Sequence, residues 1–81
     1  MVEGGVVVMW DATKRFGFIR SDDSQILRDV YFHETRVSEG LDRLKKGARV
    51  SFELVSKPDG RYAANNVKAE DNRGAKLWAQ N

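Results

Sequence analysis

The chain has 81 residues, with 14 Lys plus Arg against 12 Asp plus Glu for a net charge of +2. That length holds one small domain and excludes a second core. With no cysteine and a single histidine, it offers no disulfide framework, no thiolate nucleophile and no residue cluster at metal-ligand spacing, so no cofactor is expected.

Val6-Val7-Val8-Met9-Trp10 follows two glycines and is β-branched and apolar, which predicts a first strand. Asp11 to Lys14 is a polar break, and Arg15-Phe16-Gly17-Phe18-Ile19-Arg20 predicts a second strand despite its internal glycine. Ser21 to Gln25 reads as a loop, and Asp29-Val30-Tyr31-Phe32-His33 as a third strand. From Thr35 to Gly47, Val37, Leu41 and Leu44 recur at helical spacing, but Gly40 interrupts them. A long connection with at most a turn of helix is expected there. Val50, Phe52 and Leu54 alternate with Arg49, Ser51 and Glu53 in a fourth strand. Lys57-Pro58-Asp59-Gly60 has the chemistry of a tight turn, and a fifth strand runs from about Arg61 to Ala69. The stretch from Glu70 to Asn81, with Trp78 its one large apolar residue, shows no strand pattern and is expected to be a mobile tail.

Five short strands without a long helix predict an all-β fold: a small five-stranded antiparallel Greek-key barrel of oligonucleotide-binding type, spanning residues 1–69. Closure removes the exposed edges that an open five-stranded sheet would carry.

Parity then sorts the side chains. Lys14, Phe16, Phe18 and Arg20 share one face of the second strand, and Gly17 and Ile19 share the other. If Val30 and Phe32 fill the barrel with Val7, Ile19, Val50, Phe52, Leu54 and Val67, then Tyr31 and His33 join Phe16 and Phe18 outside. An exposed aromatic patch flanked by cations marks a binding surface. Same-face residues on a strand lie about 6–7 Å apart, which suits successive bases of an extended single strand. Each base–aromatic stack is worth roughly 1–3 kcal/mol whatever the base. Met9 and Trp10 adjoin this face; Trp10 is either a stacking platform or a half-buried rim residue, and the platform is the preferred reading. Lys57 and Arg61 are further candidates for phosphate contact, whereas Lys45-Lys46 reads as a solvated loop.

These segments also carry a resemblance. Lys14-Arg15-Phe16-Gly17-Phe18-Ile19 resembles the first ribonucleoprotein motif of cold-shock domains, usually Lys-Gly-Phe-Gly-Phe-Ile. Asp29-Val30-Tyr31-Phe32-His33 resembles the second, usually Asp-Val-Phe-Val-His followed by an aromatic. Leu44 to Glu53 and Ala64-Asn65-Asn66-Val67 are similar to the family's later strands, in the same order. The resemblance implies a barrel that binds single-stranded RNA or DNA, often as an RNA chaperone, through Lys14, Phe16, Phe18, Tyr31 and His33. The departures are Met9-Trp10 where the family has Trp-Phe, Arg15 for a glycine, and Glu34 for the aromatic after the histidine. The loop between Ile19 and Val30 is longer than in compact members, and Leu41 stands at the position of a loop aromatic. A thinner stacking surface is therefore expected.

Three other readings compete. An RNA-recognition motif also places Phe-x-Phe on a strand, but it needs two helices and the opposite motif order. A peptide-binding barrel would use the aromatic patch and leave the cations unexplained. An enzyme would need a nucleophile–base pair, a metal site or a phosphate loop, none of which is visible. No apolar run nears the roughly 18 residues of a membrane span, and the first residues lack a signal-peptide pattern. A cytoplasmic monomer without membrane partners is the expectation.

Overall fold

In the computed structural model, which describes residues 2–70, the apolar–polar alternation resolves into six strands. They are β1 (Val2–Asp11), β2 (Phe16–Ser21), β3 (Val30–His33), β4 (Val37–Glu39), β5 (Arg49–Ser56) and β6 (Tyr62–Ala69). Their order in the sheet is β3-β2-β1-β5-β6-β4. A parallel pairing of β3 with β6, at Tyr31 opposite Ala63, closes five of them into a barrel.

The barrel expected from the sequence is thus present, with one addition. Residues 35–47 are more than a connection: they contain the short β4, which pairs in parallel with β6 at Val37 and Val67. The helical turn expected there takes the form of two 3₁₀ turns, Glu34–Arg36 and Leu41–Arg43, one on each side of β4. Gly40 accounts for the break. Its φ of +79° suits glycine, and a Cβ there would lie 2.7 Å from the Ala69 Cβ.

Val7, Ile19, Val30, Phe32, Val50, Phe52 and Val67 are fully buried. Leu44, Ala64 and Ala69 complete the core, while Leu54 is only half-buried against it. Large side chains from facing strands fill the small interior, so most stabilisation comes from a single cluster.

β1 departs from simple alternation. Val7 pairs with Ile19 and Met9 with Phe18, leaving Val8 as an extra, bulged residue. A bulge shifts every later side chain to the other face. Met9 therefore sits on the outer face opposite Phe18, and Trp10 sits on the inner face opposite Gly17.

The long loop after β2 is anchored at its start. The Asp22 N–H donates to the Gly4 carbonyl at 2.9 Å, and the Asp22 carboxylate accepts from both terminal nitrogens of Arg49 at 3.0 and 2.6 Å. Ile26 packs on the core, whereas Leu27 is 88% exposed. The expected tail beyond residue 70, including Trp78, lies outside the described residues.

Candidate nucleic-acid interface

Two rows of side chains cross the outer face of β1, β2 and β3. One is Met9–Phe18–Tyr31 and the other Asp11–Phe16–His33, both set by the strand register. Gly17, between the two phenylalanines, and Ile19, just after the second, face inward and are buried. Gly17 has no room for a side chain: a Cβ would lie 2.5 Å from the Met9 carbonyl oxygen and 2.9 Å from the Phe32 ring.

Phe16, Phe18 and Tyr31 form a triangle with centroid distances of 5.9, 5.9 and 6.0 Å. Phe16 and Tyr31 lie within 29° of parallel, and Phe18 meets both of them edge-on. Such pairs hold one another's ring planes while leaving an outer face free. Tyr31 is 39% exposed, a large aromatic surface for a residue in mid-strand. Met9, opposite Phe18, supplies a polarizable edge to the same patch.

His33 ends the second row. Its Nδ1 accepts the Thr35 N–H at 3.2 Å and lies 3.1 Å from the Thr35 hydroxyl. The ring is thereby oriented, and its Nε2 has no hydrogen-bond partner among the described residues.

Trp10 does not belong to the platform. The bulge at Val8 turns it inward, and its ring stacks on buried Phe32 at 5.6 Å with 6° between planes. It is the rim residue of the two alternatives, because strand parity read straight through the bulge assigns the wrong face.

The cations are placed unevenly. Arg20 is exposed on β2, 3.6 Å from Asp29. Arg61 lies 3.7 Å from Asp59 in the β5–β6 turn. Lys14 precedes β2, in a turn whose backbone N–H groups at Thr13 and Lys14 donate to the Asp11 carboxylate. Strand parity therefore does not extend to it, although it is exposed beside the platform's end. A cleft of about 360 Å³ opens between Phe18 and Tyr31 on one side and Lys57, Arg61 and Tyr62 on the other. Arg28 and Tyr62 line it too, and sequence reasoning missed both. Arg28 sits in a loop and Tyr62 on a strand remote in sequence, so neither carries a local signal.

Glu34, where the resemblance leads to an aromatic, is held by Arg15 at 2.8 Å. Leu41, at the position of the loop aromatic, is 42% exposed. Among the described residues no group of His, Cys, Asp and Glu could hold a metal ion, and no helix is long and apolar enough to cross a membrane.

A closed barrel with this aromatic face places the chain in a class defined by residues 3–69, which match the model of the 'Cold-shock' DNA-binding domain. The chain belongs to that nucleic-acid-binding family. It is 41% identical over 71 residues to the probable cold shock protein y4cH of Sinorhizobium fredii, covering 85% of this chain and all of that one. It is 36% identical over 69 residues to cold shock protein CspC of Bacillus subtilis, covering 84% of this chain and all of the relative. Among solved structures, the fold is shared with Drosophila Unr CSD456 at a TM-score of 0.67 and 20% identity. That match covers 88% of this chain and 27% of the other. The silver-bound CusF structure is similar in fold, with a TM-score of 0.58 and 17% identity over 86% of this chain and 96% of that one.

Proposed function

We propose that this protein binds single-stranded RNA or DNA with low sequence specificity, stacking bases on Phe16, Phe18, Tyr31 and His33. Met9 extends the stacking surface, and Lys14, Arg20, Lys57 and Arg61 meet the phosphates. The observation that carries this reading is the triangle of Phe16, Phe18 and Tyr31, held at about 6 Å spacing on the outside of a barrel whose core is already full. An apolar surface of that kind gains nothing in water and gains roughly 1–3 kcal/mol per base when a strand lies on it. A duplex hides its base faces and does not offer that gain.

Weak, sequence-tolerant stacking suits a protein that holds RNA single-stranded and lets it go, so the role is that of an RNA chaperone or regulator acting as a cytoplasmic monomer. The test is a hairpin RNA carrying a fluorophore and a quencher at its ends. Added protein is expected to open the hairpin, and unlabelled single strand to compete far better than duplex of the same length. Equal competition by the duplex would contradict the reading.

A further inference from the structure

The aromatic face ends at Tyr31, but the surface does not. Beyond Tyr31, a second cleft of about 330 Å³ is lined by Tyr31, His33, Arg36, Lys57 and Asn65. A third, of about 290 Å³, continues past Arg36 and Asn65 to Ser38 and Asn66. Tyr31 and Lys57 also line the platform-side cleft, so the three form one track. It leaves the aromatic triangle and runs along β6, between that strand and the Glu34–Arg36 turn.

The chemistry of this extension is one-sided. The chain is nearly balanced in charge, and the platform-side cleft carries Asp29 and Asp59 among its cations. Among the described residues, the second cleft carries Arg36 and Lys57 and the third Arg36, and no carboxylate lines either. Arg36 makes no ion pair among the described residues. A cleft lined by two cations and no carboxylate, one of the cations unpaired, favours an anionic ligand.

The two asparagines divide the remaining work. Asn66 adopts a left-handed φ of +52° at a β6 bulge, and its side chain is committed. It accepts the Ser38 hydroxyl at 2.7 Å and donates to Glu53 at 3.3 Å. Asn65, between buried Ala64 and this bulge, lines both clefts with an amide that makes no side-chain hydrogen bond among the described residues. A free amide offers a donor and an acceptor side by side, the pattern that pairs with the edge of a base. Asn65 stands two residues along β6 from Ala63, the partner of Tyr31, or about 6.6 Å further on. That is one more step of an extended strand.

We infer that the track from Tyr31 past Arg36 and Asn65 is a second arm of the nucleic-acid path, reading a base edge at Asn65 and a phosphate at Arg36. The inference rests on the stacking reading and deepens it: the triangle stacks bases, and this arm reads a polar edge at Asn65, where the cleft lining turns from aromatic to polar.

The experiment uses the full chain with oligothymidines of about four and about nine nucleotides, lengths within the range single barrels accept. Arg36→Gln and Asn65→Ala are expected to weaken binding of the longer strand by about three- to tenfold and leave the shorter one unchanged. Arg36→Gln should also flatten the salt slope for the longer strand by about 0.7, and Asn65→Ala should not. Phe18→Ala, the platform control, should weaken both lengths. If neither variant separates the two lengths while Phe18→Ala still weakens both, the second arm is wrong and the platform stands. If the unaltered protein binds neither strand, both readings fall. Unchanged thermal midpoints of the two variants confirm that binding, not folding, is being compared.

Discussion

Arg15 and Glu34 hold each other twice: the Arg15 Nη1 donates to the Glu34 carboxylate at 2.8 Å, and the Glu34 N–H donates to the Arg15 carbonyl at 2.8 Å. Both residues are departures from the pattern that the sequence resembles, and each explains the other. Arg15 has φ of +65°, in the region where a side chain costs about 1–2 kcal/mol and glycine costs nothing. The exposed ion pair returns up to about 1 kcal/mol. Arg15→Ala keeps the strain and loses the pair, whereas Arg15→Gly loses both. Chemical denaturation should therefore find Arg15→Gly more stable than Arg15→Ala by about 1 kcal/mol. An Ala variant as stable as the Gly variant would mean that the backbone there carries no strain.

The same pair sets the end of the stacking row beside His33. Glu34→Gln removes a negative charge and releases the Arg15 guanidinium, so one more cation faces the phosphates. Single-strand binding should tighten by about threefold at low salt, with the salt slope steeper by about 0.7. Glu34→Phe adds a stacking surface worth roughly 1–3 kcal/mol and should tighten binding by about fivefold or more. Titration of both variants at two salt concentrations separates the effects. No change in either would place Glu34 off the path.

Salt dependence of the unaltered protein should be shallow. Arg20 and Arg61 are partly neutralised by Asp29 and Asp59, so of the four cations proposed to meet the phosphates Lys14 and Lys57 count as full contacts and Arg20 and Arg61 as partial ones. About three contacts at roughly 0.7 each predict a slope near −2 for a short strand that fills only the platform. A slope near −6 would indicate an electrostatic binder instead.

Acid stability should depend on Asp22. Its hydrogen bonds from Arg49 hold the carboxyl below the usual carboxylate range. A carboxyl lowered in the folded state adds stability above its unfolded pKa of about 3.9, and that contribution is lost as pH falls through the lower folded value. The pair is exposed, so the effect is small. Asp22→Asn should melt slightly below the unaltered protein at neutral pH, and the gap should close in acid. A gap independent of pH would assign the loss to something other than this ion pair.

The sequence was most legible where strands are regular. Ile19, Val30 and Phe32 alternate with Phe18, Tyr31 and His33, and period-two alternation needs no tertiary information to sort inside from outside. It was illegible where an extra residue breaks the period. Val8 looks like any strand valine, yet its bulge moves Trp10 from the platform onto Phe32. Short β4 was hidden because three residues carry too little pattern, and its pairing with β6 lies about thirty residues away. Arg28, Arg36, Tyr62 and Asn65 join the surface only through closure of β3 on β6, a contact no local motif announces.

On the proposed reading the outer aromatics bind while the inner residues fold, and fluorescence anisotropy of a labelled oligothymidine, titrated with the unaltered protein and with Phe18→Ala, separates the two roles. Phe18 is half-buried on the outer face, and neighbouring Ile19 is fully buried. Phe18→Ala is expected to weaken binding by roughly 1–3 kcal/mol and to remain folded. Ile19→Ala, as the internal reference, should cost about 2–5 kcal/mol of stability. A Phe18→Ala protein that stays folded and binds the single strand as tightly as before would contradict the account.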